Sequence, residues 1–533
     1  MVTCTNFILT ILVLGIYAEP GSSFTDVTRE RGLDVLLKNW SVGHAAAWGD
    51  VDGDGRPDLY VGAFADRPTY SAKDAPIPNQ LLLNRENGFV LSPDTAVRLM
   101  GKGARSTCAI FADLDGDRDL DLFVSNHIRL EHHYPSVLFE NVGGGKFKDV
   151  TPKKGDWPTK LPIRNVSAID VDRDGILDLI LTDGNYSHFR GLGGRLHLMR
   201  FVRKWEYEDV NHKLGLPAKG TAGLGLAIGD ANDDGRLDIF VAQSNRMFIS
   251  TPDGKYQESQ PGTFVKPTVA DGDALTCGAA FGDLNGDGLL DLVTTEHGQP
   301  CRLHVYLNQR LKKGLPVYRE ISDEAGVSGY FPSKGLTGHR FKTAHVSLVD
   351  LDNDGRADIY VPALYQNEKD ELQPMILRNL GNRNGVPQFS KPPYERVVEY
   401  FASAPVADFD GDGRLDLFMT GWLPEVPSRL WRNTSKGGHW LTVKVVGEGS
   451  GFNVMGVGAT VRLYRSGSAG DKNGFIGRRD ISIGNGYSSG EEALAHFGLG
   501  SEEVCDVVVN WQGRKVARKQ VRADQKVTIE FGK

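Results

Sequence analysis

The sequence predicts an all-β chain: a seven-bladed β-propeller followed by a small all-β C-terminal domain. Three observations predict it. An Asp-rich nonapeptide recurs seven times along the first four fifths of the chain. Each copy sits among short apolar, β-branched runs separated by turn signals, four runs to a unit. After residue 433 the nonapeptide is gone, yet strand-like runs continue. Units of about 60 residues with four short strands each are the mark of propeller blades, and seven units make one ring rather than several domains.

The loops come first because they carry the chemistry. Asp50-Val51-Asp52-Gly53-Asp54-Gly55-Arg56-Pro57-Asp58 places four carboxylates in nine residues. Carboxylates ~4 Å apart repel by about 4 kcal/mol per pair at an effective dielectric near 20, and a hard cation removes that cost. Calcium takes oxygen ligands from Asp at alternate positions of such a loop. The other copies start at Asp113, Asp170, Asp230, Asp283, Asp350 and Asp408. Positions 1, 3, 5 and 9 supply the expected donors. They are Asp50, Asp52, Asp54 and Asp58, then Asp113, Asp115, Asp117 and Asp121, then Asp170, Asp172, Asp174 and Asp178. The next two loops have Asn at position 3: Asp230, Asn232, Asp234 and Asp238, and Asp283, Asn285, Asp287 and Asp291. The last two give Asp350, Asp352, Asp354 and Asp358, and Asp408, Asp410, Asp412 and Asp416. Up to seven Ca2+ are expected. Position 6 is Gly in six copies and Arg118 in the second, where a turn with positive φ would strain a bulky residue. An EF-hand would need Glu at position 12 and flanking helices. Position 12 holds Val61, Val124, Leu181, Val241, Thr294, Val361 and Met419, which continue apolar runs. Each loop is therefore expected to join two strands of a hairpin.

The strands follow. In the second unit they read Cys108 to Phe111, Leu122 to Val124, Val137 to Glu140 and Phe147 to Val150. The seventh unit has only three: Ala404 to Ala407, Leu417 to Thr420 and Arg429 to Trp431. Phe24-Thr25-Asp26-Val27-Thr28 matches the fourth-strand text Phe147-Lys148-Asp149-Val150-Thr151. It is expected to complete the last blade and remove an exposed edge. The connections between second and third strands, 63–79, 126–136 and 183–194, are long and varied. With Tyr70, His127, His132, Tyr134, Tyr186, His188 and Phe189 they mark the face opposite the calcium loops as the expected partner surface.

Residues 1–18 carry no charged side chain, and Phe7 to Tyr17 is an apolar run of signal-peptide length. A secreted chain, extracellular or matrix-bound and without a membrane span, is expected. Cys108, Cys277, Cys301 and Cys505 are even in number; Cys277 with Cys301 is the candidate disulfide, and buried free thiols are the alternative. Sequons at Asn39, Asn165, Asn185 and Asn433 fit a glycoprotein. Formal net charge is −7, and filling seven loops with Ca2+ would make it +7, so the acidic composition is no guide to a partner. No basic, aromatic-interleaved stretch points to nucleic acid.

The expected division is 1–18 signal peptide, 19–433 propeller, 434–439 a small polar linker, and 440–533 a β domain. That last part reads His439-Trp440-Leu441, Gly456-Val457-Gly458-Ala459, Gly484-Asn485-Gly486-Tyr487, His496-Phe497-Gly498-Leu499-Gly500 and Trp511-Gln512-Gly513. These residues resemble an ASPIC/UnbV domain, and the seven loops resemble FG-GAP/VCBS repeats as in integrin α-subunit propellers. The pairing of the two is similar to the cartilage acidic protein group of secreted matrix glycoproteins. Some of that group carry a Cys-rich EGF-like module; the residues through Lys533 include none, so functions that depend on it are not implied.

No G-x-S-x-G, HExxH or phosphate loop is present. Most clustered carboxylates are already assigned to loops, and His496 is expected to be packed rather than catalytic. The expected function is a secreted, calcium-binding, non-enzymatic interaction module with an extracellular protein or glycan partner. The alternative is a carbohydrate-binding lectin or polysaccharide-acting enzyme. Convergence of Arg, Lys, Trp or Tyr in a concave site would favour that alternative.

Overall fold

In blades one to five the chain runs up an inner strand, turns through the Asp-rich loop, and steps outward through three more strands. The computed structural model describes residues 24–38, 43–64, 78–96, 104–127, 134–153, 155–158, 161–184, 194–259, 262–264, 275–298, 301–423, 426–449 and 451–532. The inner strands of the seven blades are Gly43–Gly49, Ser106–Ala112, Ile163–Ile169, Gly223–Gly229, Leu275–Gly282, Ser347–Val349 and Val406–Ala407. Each pairs antiparallel with the strand after its loop, which begins in every blade at the ninth loop residue. The hairpin reading holds, and the fold is the expected all-β propeller. Blade six departs from the pattern. Its third strand continues as Asn379–Arg383 paired with Val386–Phe389, and Val397–Tyr400 adds to its second strand.

The ring closes as the sequence reading expects. Phe24–Asp26 forms the outer strand of blade seven, with Phe24 opposite Asn433 and Asp26 opposite Trp431. The Val27 N–H donates to the Leu430 carbonyl at 2.9 Å, and Arg429 pairs with Asp26. Phe24 and Val27 are buried. The first 18 residues lie outside the described residues.

Beyond blade seven, a three-stranded sheet centred on His439–Gly447 faces a four-stranded sheet, in the order 475–480, 460–465, 504–511, 514–522. Alternating residues such as Leu441, Val443 and Val445 of the first sheet and Val507, Val509 and Trp511 of the second are buried together. This core is not separate, as a tethered domain would have it. It runs on into Ile110, Leu114, Val166 and Leu177 of blades two and three. Nor are residues 434–439 slack. Ser435 is buried, a Cβ on Gly437 or Gly438 would clash with the backbone of Asp352 or Gly500, and the strand already starts at His439.

The C-terminal sandwich sits on the loop face and sends a finger, residues 481–492, into the central shaft. The finger touches all seven blades. Ser489 and Gly490 pair in parallel with Ala46 and Ala47 of blade one. Gly490 abuts Ala109 of blade two, and Ile483 bridges to Ala168 of blade three. Gly486 exchanges two hydrogen bonds with Leu226 of blade four and donates to the Ala279 carbonyl of blade five at 3.0 Å. The Tyr487 N–H meets His345 Nδ1 of blade six at 3.0 Å. Ser403 of blade seven donates its hydroxyl to the Ser488 carbonyl at 2.8 Å. Small residues leave room for this hairpin: a Cβ on Gly225 would collide with the Gly486 carbonyl, and Gly490 lies against Ala47. Gly486 has φ +75°, and a Cβ there would collide with the His345 ring.

Two further expectations are corrected. All four described cysteines are buried free thiols, so Cys277 and Cys301 are not paired. Cys277 packs in the shaft beside Leu224 and Tyr487, whereas Cys301 lies in the core between blades five and six. Burial pushes each of these thiols up to about 12. Of the sequons, Asn165 and Asn433 are fully buried and hydrogen-bonded, which leaves no space for a glycan. Asn39 and Asn185 lie outside the described residues.

Candidate functional site

Every loop is built by the same hydrogen bonds. The position-1 carboxylate accepts the N–H of position 6, as Asp50 does from Gly55 at 2.9 Å and Asp350 from Gly355 at 2.8 Å. The position-5 carboxylate accepts the N–H of position 7, as Asp54 does from Arg56 at 3.0 Å. Position 9 is fully buried, and its two oxygens accept from the loop and from the third strand: Asp58 from Val51 at 3.1 Å and Asn84 at 2.7 Å. Position 6 has positive φ throughout, from Gly235 at +80° to Gly175 at +95°, and Arg118 is held at +81°. Position 4 is left-handed as well, including Arg173, Asp233 and Asn353, a requirement the sequence reading missed. Asn and Asp tolerate that region better than most residues, which is the signal it overlooked.

The expected donors are brought together in five loops. Asp50, Asp52 and Asp58; Asp113, Asp115 and Asp121; Asp170, Asp172 and Asp178; Asp350, Asp352 and Asp354; and Asp408, Asp410 and Asp416 each offer oxygens within 4.8 Å of one another. In blades four and five the position-3 amide turns its Nδ2 to the position-5 carboxylate: Asn232 to Asp234 at 2.8 Å and Asn285 to Asp287 at 3.0 Å.

The electrostatics fit a cation. Burial, reinforced by neighbouring loop carboxylates, pushes Asp170 and Asp350 up to about 7 and Asp121 and Asp178 up to about 8. Asp52 Oδ1, Asp170 Oδ1, Asp352 Oδ1 and Asn232 Oδ1 are buried without a hydrogen-bond partner among the described residues. Such oxygens are costly to leave unsatisfied, and Ca2+ is the ligand class that uses them. Basic side chains of the third strand share the position-3 carboxylates: Arg85 with Asp52, Arg378 with Asp352 at 3.2 Å, Arg432 with Asp410 at 2.9 Å.

An unforeseen Asn stitches loop to loop. Asn84, Asn141, Asn308, Asn379 and Asn433 lie in or directly after third strands, and each donates its backbone N–H to the position-9 Asp of its own blade. Each also donates Nδ2 to the position-2 carbonyl of the preceding blade: Phe409, Val51, Ala231, Leu284 and Leu351. Asn433 therefore works as an inter-blade tie. The repeated Asn after an apolar third strand was the available signal.

Six of the seven loops bond directly to the C-terminal sandwich. Arg478, fully buried, donates to the Asp230 carbonyl at 2.7 Å and the Gly288 carbonyl at 2.9 Å while Asp480 holds its guanidinium. Gly451 donates to the Asp174 carbonyl at 3.2 Å, and Gly500 to that of Asn353 at 2.9 Å. The Asp113 N–H meets Met455 Sδ at 3.0 Å. His496 Nε2 contacts the Gly413 carbonyl at 3.1 Å, and burial pushes its imidazole down to about 4. His496 is thus a packed, neutral residue. Between the two layers lies a polar cavity of about 430 Å³ lined by Arg479, Glu491, Glu492 and Lys526.

At the far end of the shaft stands the finger's tip. Arg164 donates to the Tyr487 hydroxyl, which lies 3.0 Å from His44 Nε2. His44 Nδ1 faces the Thr107 carbonyl at 3.0 Å and so carries the proton, leaving Nε2 to accept from the phenol. Of the expected partner residues on this face, Tyr134 is 43% exposed and His127 is buried. Tyr70, His132, Tyr186, His188 and Phe189 lie outside the described residues.

Parts of the chain match models of FG-GAP-like repeats and of an ASPIC and UnbV domain. The FG-GAP-like repeat model matches residues 50–124 and 230–294, and the ASPIC and UnbV model residues 449–533. Among curated proteins it is similar to cartilage acidic protein 1 of Mus musculus, 26% identical over 498 residues and 89% of this chain. The Homo sapiens protein of that name is 26% identical over 511 residues and 90% of this chain. The chain spans 62% of the length of these relatives. Among solved structures, the V. cholerae biofilm matrix protein Bap1 aligns with TM-score 0.30 and 10% identity over 91% of this chain and 68% of that one. A lectin of Aleuria aurantia bound to Fucalpha1-6GlcNAc aligns with TM-score 0.33 and 12% identity over 67% and 96%.

Proposed function

We propose that this protein is a secreted, non-enzymatic interaction module of the extracellular matrix whose propeller is held by calcium. The observation that carries the reading is the convergence of loop carboxylates in five of the seven loops, four of which also hold a buried carboxylate oxygen short of partners among the described residues. Bound Ca2+ would cancel the repulsion among the loop carboxylates. The proposed donors are positions 1, 3, 5 and 9 of each loop, with the Asn-containing loops at Asp230 and Asp283 the weaker pair. The matches to cartilage acidic protein 1 support a matrix role, and the partner is proposed to be an extracellular protein or glycan. A leader at 1–18 and glycans at Asn39 or Asn185 belong to the same proposal.

The proposed partner surface is the face opposite the calcium loops, since the sandwich covers the loop face. The test is calcium titration by calorimetry, with melts in calcium and in EDTA. Extracellular calcium modules bind at about 10⁻⁴ to 10⁻³ M, and each site at tenfold excess over Kd adds roughly 1.4 kcal/mol. An identical melt in EDTA would refute the calcium role. Alanine at Tyr70, His132, Tyr134 and Phe189 should weaken partner capture without changing the melt.

A second reading, carbohydrate binding, is favoured by one observation. Arg105, Arg164, Trp422 and Tyr487 cluster around Phe64 and His44 at the end of the shaft away from the loops.

A further inference from the structure

The edge strand of the four-stranded sheet, Arg514–Arg522, carries Arg514, Lys515, Arg518, Lys519 and Arg522 and no acid, in a chain whose formal net charge is −7. Val521 is buried and Val516 half-buried against the sandwich core, while the other side chains of the strand are exposed. One side of the strand pairs with Val504–Trp511, and no strand pairs with its other side among the described residues. The cations recur in steps of four residues, at 514 and 515, at 518 and 519, and at 522. Each step covers about 13 Å of extended chain.

The acids around this strand are engaged by other groups. Asp506, opposite its middle, accepts the N–H groups of Gly467, Ala469 and Gln520 at 2.9, 3.2 and 2.9 Å. Glu502 pairs with Arg465 at 2.9 Å and Asp524 with His439 at 2.6 Å. Glu503 and Asp471 stand near the two ends, too few to balance five cations. Arg514 lies over the Phe452 ring, 5.0 Å from its centroid. Lys515, Arg518, Lys519 and Arg522 make no ion pair among the described residues.

Lys on an edge strand blocks the addition of a further strand, but that role does not call for five cations spread over both faces. The choice of partner follows from what else the strand presents. A peptide adding as a strand needs a regular edge. Here the register shifts between Cys505 and Val507, and Gln520 sits at φ +54°, which bends the edge. A membrane surface or an apolar protein interface needs exposed apolar side chains, and the described residues of 439–532 expose no large one. A polymer with anionic groups along its length needs neither. Exposed ion pairs are weak singly; many along one chain add up, because each releases counterions from the polymer. Arg forks take sulfate oxygens two at a time, and Lys adds point charges between them.

We propose that the strand Arg514–Arg522 is a binding site for a linear sulfated polysaccharide. The inference rests on the proposed function only in choosing an extracellular glycan; the site uses neither the calcium loops nor the open face.

The test uses the full chain with calcium at physiological ionic strength, by surface plasmon resonance on immobilised heparin and chondroitin sulfate. Hyaluronan, polyglutamate and phosphatidylserine vesicles are the comparison surfaces. One triple variant carries Lys515→Gln, Arg518→Gln and Lys519→Gln. The other carries Arg310→Gln, Lys312→Gln and Lys313→Gln, which removes the same charge from an exposed hairpin of blade five. The parent should bind at least one sulfated polymer. Binding should weaken by about tenfold or more in the first variant and change little in the second. No binding of either sulfated polymer, or equal weakening in both variants, would overturn the site. Hyaluronan, polyglutamate or vesicles bound as tightly as the sulfated polymers would overturn the sulfated class. The calcium-dependent shift of the melt should be the same in all three proteins, so failure of this site and failure of the calcium reading are told apart.

Discussion

On one face of the propeller, seven Asp-rich loops meet the C-terminal sandwich; on the other, the inner strands end around an aromatic, cationic mouth. The loop face is rigid by construction. Its carboxylates accept backbone N–H groups at fixed positions, Asn side chains tie neighbouring loops, and Arg478 bonds to two loops at once. It holds acids that burial and mutual repulsion push upward, and it is covered. The mouth holds bases and rings, and no layer of the sandwich lies over it. One hairpin joins the two faces, and Tyr487 at its tip is fixed by Arg164 and His44. On the proposed function the two faces divide the labour: metal and docking on one, recognition on the other, with the finger joining them through the shaft.

Two single substitutions, one deletion and one double variant would break or sharpen this contrast. The largest effect is expected from Gly486→Val. It forces a side chain into the His345 ring at a φ of +75°, and strain plus overpacking should cost about 3 kcal/mol or more. The melt should fall, and the apolar dye ANS should bind newly exposed shaft. A variant as stable as the parent would mean the finger is not seated. Next comes deletion of residues 19–29. It leaves blade seven with an open edge and removes buried Phe24 and Val27, at roughly 3–5 kcal/mol for the larger side chain. Loss confined to a few tenths of a kcal/mol would refute closure by that strand. A gain of about 1 kcal/mol is expected from Arg118→Gly, because only that loop holds a long side chain at the position-6 turn. Denaturant unfolding with and without calcium would measure it.

The smallest effect concerns pH on the open face. Burial alone would lower His197, but its bonds to Asp183 and Asp209 outweigh that and raise it; Glu296 and Glu320 do the same for His304. A raised folded pKa contributes stability that is complete below the unfolded His value and is lost as pH rises through the folded value. Stability should therefore decline above neutral pH, and the His197→Gln, His304→Gln double variant should show a flatter profile. An equal slope in both proteins would contradict it.

Much of this was legible in the sequence because repetition multiplies weak signals. One DxDGD is an acidic turn; seven in one pattern fixed the loops, the hairpins, the blade count and the strand that closes the ring. Arg118 stood out because six other loops have Gly at its position. What the sequence hid was long-range. Gly484-Asn485-Gly486-Tyr487 reads as a loop, and only the fold places Gly486 between Leu226 and Ala279 and Tyr487 between Arg164 and His44. Asn433 satisfies a sequon, yet its Nδ2 is committed to a carbonyl 82 residues away. Cys277 and Cys301 share a repeat, yet they pack in different cores. The loss of the Asp-rich loop and the continuing strand runs mark 440–533 as a second β domain, but they cannot show that its apolar residues share a core with blades two and three.

The central claim is that calcium, the docked sandwich and the finger form one coupled unit. Hydrogen–deuterium exchange with and without calcium tests it most directly. The Gly55 and Gly355 amides report the loops, and the Gly486 and Tyr487 amides report the finger. The account predicts that chelation lowers protection at loop and finger amides together, by tenfold or more. Finger amides that stay fully protected while the loop amides open would contradict it.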